Sequence, residues 1–569
     1  SIHDINYSNQ LNTGTGGGLN PIFVSITTNV TIRQNDIRNI IGNSLSGYTT
    51  STIQSSASGI HKIQKNTLHN ISISGFGTFS SMNGMLITTS SGGPILIDSN
   101  SISNLANNKV VGNGAMFGIN CSGTVSSETI TNNSVTQLFN AGSGQTIGIN
   151  SSASSSNRNL SKNTISSINS ASITTVTGIT TSGSGQTVSQ NKVYDISGTF
   201  NGSPVVSGVT ISVGTSGSIN LINNIIGSIQ APNANTNSNG NPSVRGISLI
   251  STSSNSNNLI TNNSVFLNAS SVGTNFSSAG IFHISSIGMP STTSNLNLRN
   301  NLIYNTSTPS GTGLTVAYQR GSSNKSNYNS LSDKNLFYAG IPSSNRLLFT
   351  DTVSYIQTLS GYKTYMLPVG ADQNSYDGDI SFQSLVGSSN DFLKFDLLIP
   401  SLLESRGSLI TGITSDYAGT IRAGNIGYAG LGSSPDIGAW ELDGSVVGGC
   451  SGTPSVSNTL ANNTNPPCSS PMVTLSLDMN YGLGIVYQWE ESSTSSTSGF
   501  TPIVGSINST AIVNALVTKW YRCVITCLAS GQSVSSTAIQ VGQFPLSGTY
   551  LIDNTGAGNY LNFYQAISD

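Results

Sequence analysis

One pattern constrains this chain more than any other: an aliphatic residue, two further residues, Asn, one residue, then an apolar residue. It recurs around Asn35, Asn66, Asn100, Asn133, Asn163, Asn191, Asn224, Asn263, Asn301 and Asn335, at spacings of 28 to 39 residues. The position two after each Asn is always apolar: Ile37, Leu68, Ile102, Val135, Ile165, Val193, Ile226, Val265, Ile303 and Phe337. Three before each Asn stands an aliphatic residue, from Ile32 to Leu298, and only Ser332 departs. A second marker, Gly followed by an apolar residue, keeps the same period at Gly84, Gly118, Gly148, Gly178, Gly208, Gly246, Gly280 and Gly313. A fixed period of this length means stacked units.

The strands inside one period are too short to bury an apolar face alone. Stacked coils can do so, because each strand pairs with its counterpart one coil away, about 4.8 Å along the axis. The expected fold is therefore all-β: a right-handed parallel β-helix of ten or more coils, about 48 Å long over the Asn series. The ten Asn are expected to form a ladder, each amide donating to one coil and accepting from the next, at a corner where Asn tolerates the left-handed backbone conformation. The other reading is a row of polar ligands for a sugar or an ice-like lattice.

Composition narrows the function. The chain of 569 residues has 20 Lys+Arg and 22 Asp+Glu, a net charge of −2, and only 7% charged residues, against about 25% in an ordinary soluble domain. No basic stripe exists to neutralise phosphates, which argues against a nucleic-acid partner. No apolar run reaches the length of a transmembrane helix.

The pattern also argues against an enzyme. Glycoside hydrolysis needs two carboxylates facing one groove. The acids before residue 330 are Asp4, Asp36, Asp98, Glu128 and Asp195, and the last four lie at different offsets from their coil Asn. His3, His61, His69 and His283 have no metal-ligand spacing, and a surface role is expected for His61 and His69. Cys121 alternates in phase with Ile119, so it reads as a small buried hydrophobe. Asp372, Asn374, Asp377 and Asp379 offer oxygen ligands for a calcium loop, the one cofactor the residues suggest, though without the final Glu of an EF-hand. An ordinary Asn/Asp/Gly turn explains the same residues.

With these residues in view, 1–445 resembles bacterial right-handed parallel β-helix proteins of the pectate-lyase-like superfamily. The specific part is 372–441: Asp372-Gln373-Asn374-Ser375, Asp391-Phe392-Leu393, Asp416-Tyr417-Ala418-Gly419-Thr420-Ile421-Arg422, and Asp436-Ile437-Gly438-Ala439-Trp440-Glu441. It looks like the terminal coils of large secreted β-helix proteins, although Ile399-Pro400-Ser401-Leu402 replaces the usual Ser-Pro-Ala and Arg422 lacks a following Pro. The resemblance implies a closing motif that satisfies the last strand edge, through an Asp416–Arg422 or Glu441–Arg422 pair.

Composition changes after Gly448-Gly449. Cys468, Trp489, Tyr521 and Cys523 resemble an immunoglobulin-like β-sandwich over 446–543. The resemblance implies a Cys468–Cys523 bridge against Trp489, and leaves Cys450 and Cys527 to pin the first segment. Zinc is the other use of four Cys, but no Cys-x-x-Cys pair is present. Residues 544–569 look like the start of a further, truncated domain, and residue 1 enters mid-pattern.

A β-helix, an immunoglobulin-like module and low charge together resemble type IX secretion system cargo. That implies a non-catalytic segment of a longer polypeptide on the bacterial cell surface or outside the cell. It would act as an adhesin or surface fibre, with glycans as candidate partners. The alternative is a secreted polysaccharide-degrading hydrolase or lyase. An ice-binding rod needs a Thr-x-Thr face, and the Thr residues do not repeat in register. Asp351-Thr352-Val353 matches a short bacterial O-glycosylation pattern.

Overall fold

The computed structural model describes all residues except 1, 4–5, 8–18, 26–28, 44–48, 75–80, 90–91, 111, 236–240, 287–290, 352, 447–451, 468, 480, 482–484, 528–530, 544–548 and 569. Two compact units result. The first comprises residues 1–396 and 402–443, the second 397–401 and 444–569.

The first unit is a parallel β-helix. Three sheets run along it, with 12, 9 and 12 strands. The strands pair in parallel with their counterparts in the next coil, as Ile102 does with Val135 and Ile97 with Ile130, except that Tyr355–Ile356 closes the third sheet antiparallel to Arg346–Thr350. The apolar residues of the repeat point inward and form one continuous core of Ile, Val and Leu. Strands of the second sheet, such as Ile95–Asp98, alternate buried and half-exposed residues, as one buried face requires.

The second sheet ends with Asn295–Arg299, so the solenoid has about nine complete turns, not ten or more. The tenth turn keeps only the isolated bridges Leu296–Tyr328 and Arg299–Asp333. The physical reason is Ser332, where the aliphatic residue of the pattern is missing. Its hydroxyl accepts the Leu298 N–H at 3.0 Å in place of a strand.

The repeated Gly is needed for space. A Cβ on Gly178 would lie 2.3 Å from Val193 Cγ1 and 2.8 Å from the Gly208 carbonyl oxygen. Gly313 does not belong to this series. The register Ala279–Val316 and Ile281–Tyr318 places Ala317 opposite Gly280.

The left-handed corner is also one residue away from its expected place. The residues just before the ladder Asn, from Gln34 to Lys334, carry φ between 54° and 59°. The Asn itself follows outside the left-handed region, and its amide turns into the stack.

The end of the solenoid is closed by the helix Leu359–Met366. The Thr358 hydroxyl caps it, accepting from the Gly361 N–H. Tyr362 and Met366 are buried, and the Tyr362 ring lies 5.1 Å from Phe349 and 5.5 Å from Phe337. An apolar plug thus covers the last turn's lumen. Of the 372–441 region expected to close the end, residues 402–441 lie elsewhere, along the flank of the stack and against the corners of four coils.

The second unit contains two antiparallel sheets. One joins Thr459–Ala461, Met472–Leu477 and Ala511–Asn514. The other is built around Ile485–Ser492 and Lys519–Cys527. They share a core of Val473, Leu475, Val513, Trp489, Tyr521, Cys523 and Ile525. Cys523 is a free, buried thiol, which overturns its expected bridge to Cys468. It lies opposite Trp489 in the ladder, and its Sγ sits 3.6 Å from the Val524 carbonyl oxygen. There it fills the core as a small hydrophobe, and burial pushes its pKa up to about 12. Cys450 and Cys468 lie outside the described residues.

Candidate functional site

The Asn series is a hydrogen-bonded ladder. The Nδ2 of Asn35 donates to Asn66 Oδ1 at 2.9 Å, and the same bond recurs from coil to coil up to Asn301 and Asn335, at 2.9 to 3.0 Å. The second Nδ2 proton of Asn66 goes backwards, to the Ile32 carbonyl at 3.0 Å, and the later rungs repeat this down to Asn335 and Leu298. From Asn66 onward each Oδ1 also accepts the backbone N–H of the preceding Asn, as Asn100 does from Asn66. Every side-chain donor and acceptor of a buried rung is therefore used, which burial demands.

The ladder ends on a charge. Asn335 Nδ2 donates to Asp372 Oδ1 at 2.9 Å. Ser375 donates to the same oxygen at 2.6 Å, while the Tyr328 and Tyr362 hydroxyls donate to Oδ2. Asp372 is fully buried, and burial pushes its pKa up to about 6 against the pull of those four donors.

This assignment removes Asp372 from a calcium loop. The other three expected ligands face different partners. Asn374 donates to Asp333 at 2.7 Å, Asp379 accepts from the Tyr304 hydroxyl, and Asp377 lines a shallow surface hollow with Lys363 and Gln373. Among the described residues, no three His, Cys, Asp or Glu side chains gather as a metal site.

The acids of the coils are dispersed too. Asp36 pairs with Arg38 and His69, at 3.5 and 3.3 Å. Asp98 accepts from Asn132 on the surface at 3.1 Å. Glu128 points into the core, where it pairs with Arg158 at 2.8 Å and accepts the Ser151 hydroxyl at 2.6 Å. Cys121 is buried beside this pair, and burial and the Glu128 charge push its thiol well up. His61 is also buried, not on the surface. Its ring bonds Ser55 Oγ at 3.2 Å and the Ala57 carbonyl at 2.9 Å.

A buried charged cluster lies in the flank segment. Arg422 pairs with Glu441 at 3.1 Å, both fully buried. It also donates to Asn223 Oδ1 of the solenoid at 2.8 Å and to the Gly438 carbonyl. Of the two expected ion pairs, Glu441–Arg422 forms. Asp416 instead accepts the backbone N–H groups of Ala418, Thr420 and Glu441. Burial, with Glu404 and Glu441 nearby, drives the Asp436 pKa well up. The carboxylates of Asp416, Asp436 and Glu441 are turned inward to backbone N–H groups or Arg422. This cluster is an anchor and exposes no carboxylate pair.

The segment grips the corners of successive coils. Gln190, Asn223 and Asn300 donate to the Asp416, Ser415 and Ser408 carbonyls at 2.7 to 2.9 Å. These three precede ladder Asn residues, so the left-handed corner aims their side chains outward.

Two features of the outer faces went unread in the sequence. On the third sheet, Asn120, Asn150, Thr180 and Thr210 stand in register, beside Ser122, Ser152, Ser182 and Ser212. The Asn150 amide donates to Asn120 at 2.9 Å. On the first sheet, Phe266, Tyr304 and Tyr338 stack in register, three residues after Asn263, Asn301 and Asn335. That fixed offset was the signal that could have found them.

No family model matches the chain, and no curated protein or solved structure matches it. Among the described residues, no helix is long and apolar enough to cross a membrane.

Proposed function

We propose that the chain is a non-catalytic spacer and binding surface within a large extracellular or cell-surface adhesin or fibre, of the kind resembled by type IX secretion system cargo and pectate-lyase-like β-helices. The observation that carries this reading is the unbroken amide ladder from Asn35 to Asp372. A stack joined by side-chain bonds at every coil resists bending and local opening, because each rung ties three successive coils. Few charges make that rigidity nearly independent of salt. The flat Asn, Ser and Thr rows supply hydroxyl and amide groups of the kind that hold glycans through many weak hydrogen bonds.

The second unit fits an immunoglobulin-like module, supported by two antiparallel sheets closed over Trp489. With Cys121 and Cys523 free, a bridge from Cys527 to Cys450 or Cys468 would suit an oxidising compartment.

The test is whole-cell protease shaving combined with attachment assays. Loss of the polypeptide on shaving, with loss of attachment to glycan-coated surfaces, supports an adhesin. Release of reducing sugar from polysaccharide by the purified chain would overturn the non-catalytic reading.

A further inference from the structure

The left-handed corner runs the whole length of the ladder, but the flank segment grips only its later part. Gln190, Asn223 and Asn300 donate to that segment's carbonyls, and Asn262 reaches the Asp436 carbonyl. Gln190 is half-buried, and Asn223, Asn262 and Asn300 are buried. The five corners before them are Gln34, Lys65, Ser99, Asn132 and Lys162. They have the same left-handed backbone, and all five are exposed. The row of corners that holds a polypeptide beside the later coils therefore continues, uncovered, along the earlier ones.

The two parts differ in charge. The gripped corners are neutral amides, matched to main-chain carbonyls. Two of the open corners are lysines. Lys65 and Lys162 stand three coils apart, about 14 Å at the spacing of paired strands. An extended peptide laid along the axis rises about 3.4 Å per residue, and side chains four positions apart share one face about 14 Å from each other. Carboxylates at two such positions each meet one lysine. Between the lysines the sign changes. Asp98 is half-exposed beside Ser99 and accepts from Ser99, Asn132 and Gln64. Residues between the two acids must then be neutral, and a hydroxyl among them suits Asp98 as a donor.

We propose that the open corners from Lys65 to Lys162 dock an extended peptide segment of a partner protein, carrying two acidic residues four positions apart with neutral residues between. Two observations carry this: the continuity of these corners with those that already hold main chain, and the match in spacing and sign. Ion pairs on an exposed surface are screened by salt, so the docking is weak and salt-sensitive.

The experiment titrates the full chain against a fluorescent heptapeptide with aspartate at its second and sixth positions and threonine elsewhere, read by anisotropy at low salt. Saturable binding is expected. Lys65→Gln and Lys162→Gln should each weaken it about fivefold, the loss of one exposed ion pair. Glutamine already occupies this corner at Gln34 and Gln190, so both variants should keep the wild-type melting temperature. Moving the second aspartate to the fifth position turns it to the opposite face and should weaken binding as much. A third aspartate at the fourth position, facing Asp98, should weaken it too. Equal binding of the shifted peptide, or no loss in either lysine variant, overturns the proposal. Absence of saturation at millimolar peptide also overturns it. So does tighter binding of polygalacturonate with the same dependence on both lysines, which would make the corners a site for an acidic glycan instead.

Discussion

The coil stack and the segment that runs along its flank use opposite means of holding together. In the stack, each residue bonds its counterpart one coil away, 28 to 39 residues along the ladder. The groups are neutral amides and aliphatic side chains, repeated with little variation. In the flank, 402–443 reaches back across 108 to 226 residues to grip Asn300 and Gln190. Its interior holds Arg422, Glu441, Asp416 and Asp436, all buried. A repeat tolerates variation because every coil offers the same rung. The flank depends on one guanidinium placed among three acids. Neutral repetition distributes stability, and buried charge concentrates it.

The contrast is sharpest at the middle of the ladder. Asn163→Leu removes the acceptor of two Asn133 donors, the donor to the Ile130 carbonyl, and one of the two donors to Asn191 Oδ1, which keeps the Asn163 N–H. Three buried groups lose partners at about 1–3 kcal/mol each, so about 5 kcal/mol is expected, read from chemical denaturation. A loss below about 1 kcal/mol would mean that water replaces the rung.

Arg422→Leu strips the charge from a buried acid cluster, which costs about 3–5 kcal/mol. Hydrogen exchange should rise across 402–443 while the strands of residues 116–183 stay protected. Equal loosening of both would contradict the separation drawn between stack and flank.

The end of the ladder joins the two chemistries, because a neutral rung there meets a carboxylate. Asp372 has a pKa of about 6 in the fold, against about 3.9 unfolded. A raised carboxyl favours the fold below the unfolded pKa, and that advantage is lost as pH rises through about 6. The difference between the two values corresponds to roughly 3 kcal/mol. Wild type should therefore lose stability relative to Asp372→Asn between pH 4 and 6. Parallel melting curves for the two across that window would remove the linkage.

A smaller effect is expected in the stack itself. Gly178→Ala places a methyl group against Val193 and the Gly208 carbonyl. Overpacking of this kind costs about 1–3 kcal/mol, measurable by urea unfolding. The smallest effect belongs to the surface of the second unit. Lys519 pairs with Glu491 at 2.7 Å, with both side chains partly exposed. Lys519→Ala should change stability by less than about 1 kcal/mol, and a larger loss would show the pair to be tied to the core beneath.

Much of the stack was legible in order. Ten Asn at one period, each with an apolar residue two places on, specify both the inward face and the ladder, because local register repeats what neighbours need. Even the one irregularity, Ser332, marks where the second sheet stops. The end of the ladder is less legible. Asp372 reads as a calcium-loop oxygen or as an ordinary turn residue, because its neighbours Asn374 and Asp377 are turn residues. Its burial depends on Tyr328 and Tyr362, which no local pattern ties to it. His61 was misplaced likewise, since burial with Ser55 and Ala57 is a tertiary fact.

The sequence by itself determined the fold class, the parallel pairing of coils and the rungs of the ladder. These follow from periodicity, since a strand that pairs with its own repeat carries its partner's specification within itself. Only the tertiary structure decided where 402–443 lies, which acid receives Arg422, and that Cys523 stays a thiol. Those contacts join residues of unrelated sequence, and nothing in either partner's own neighbourhood encodes the distance between them.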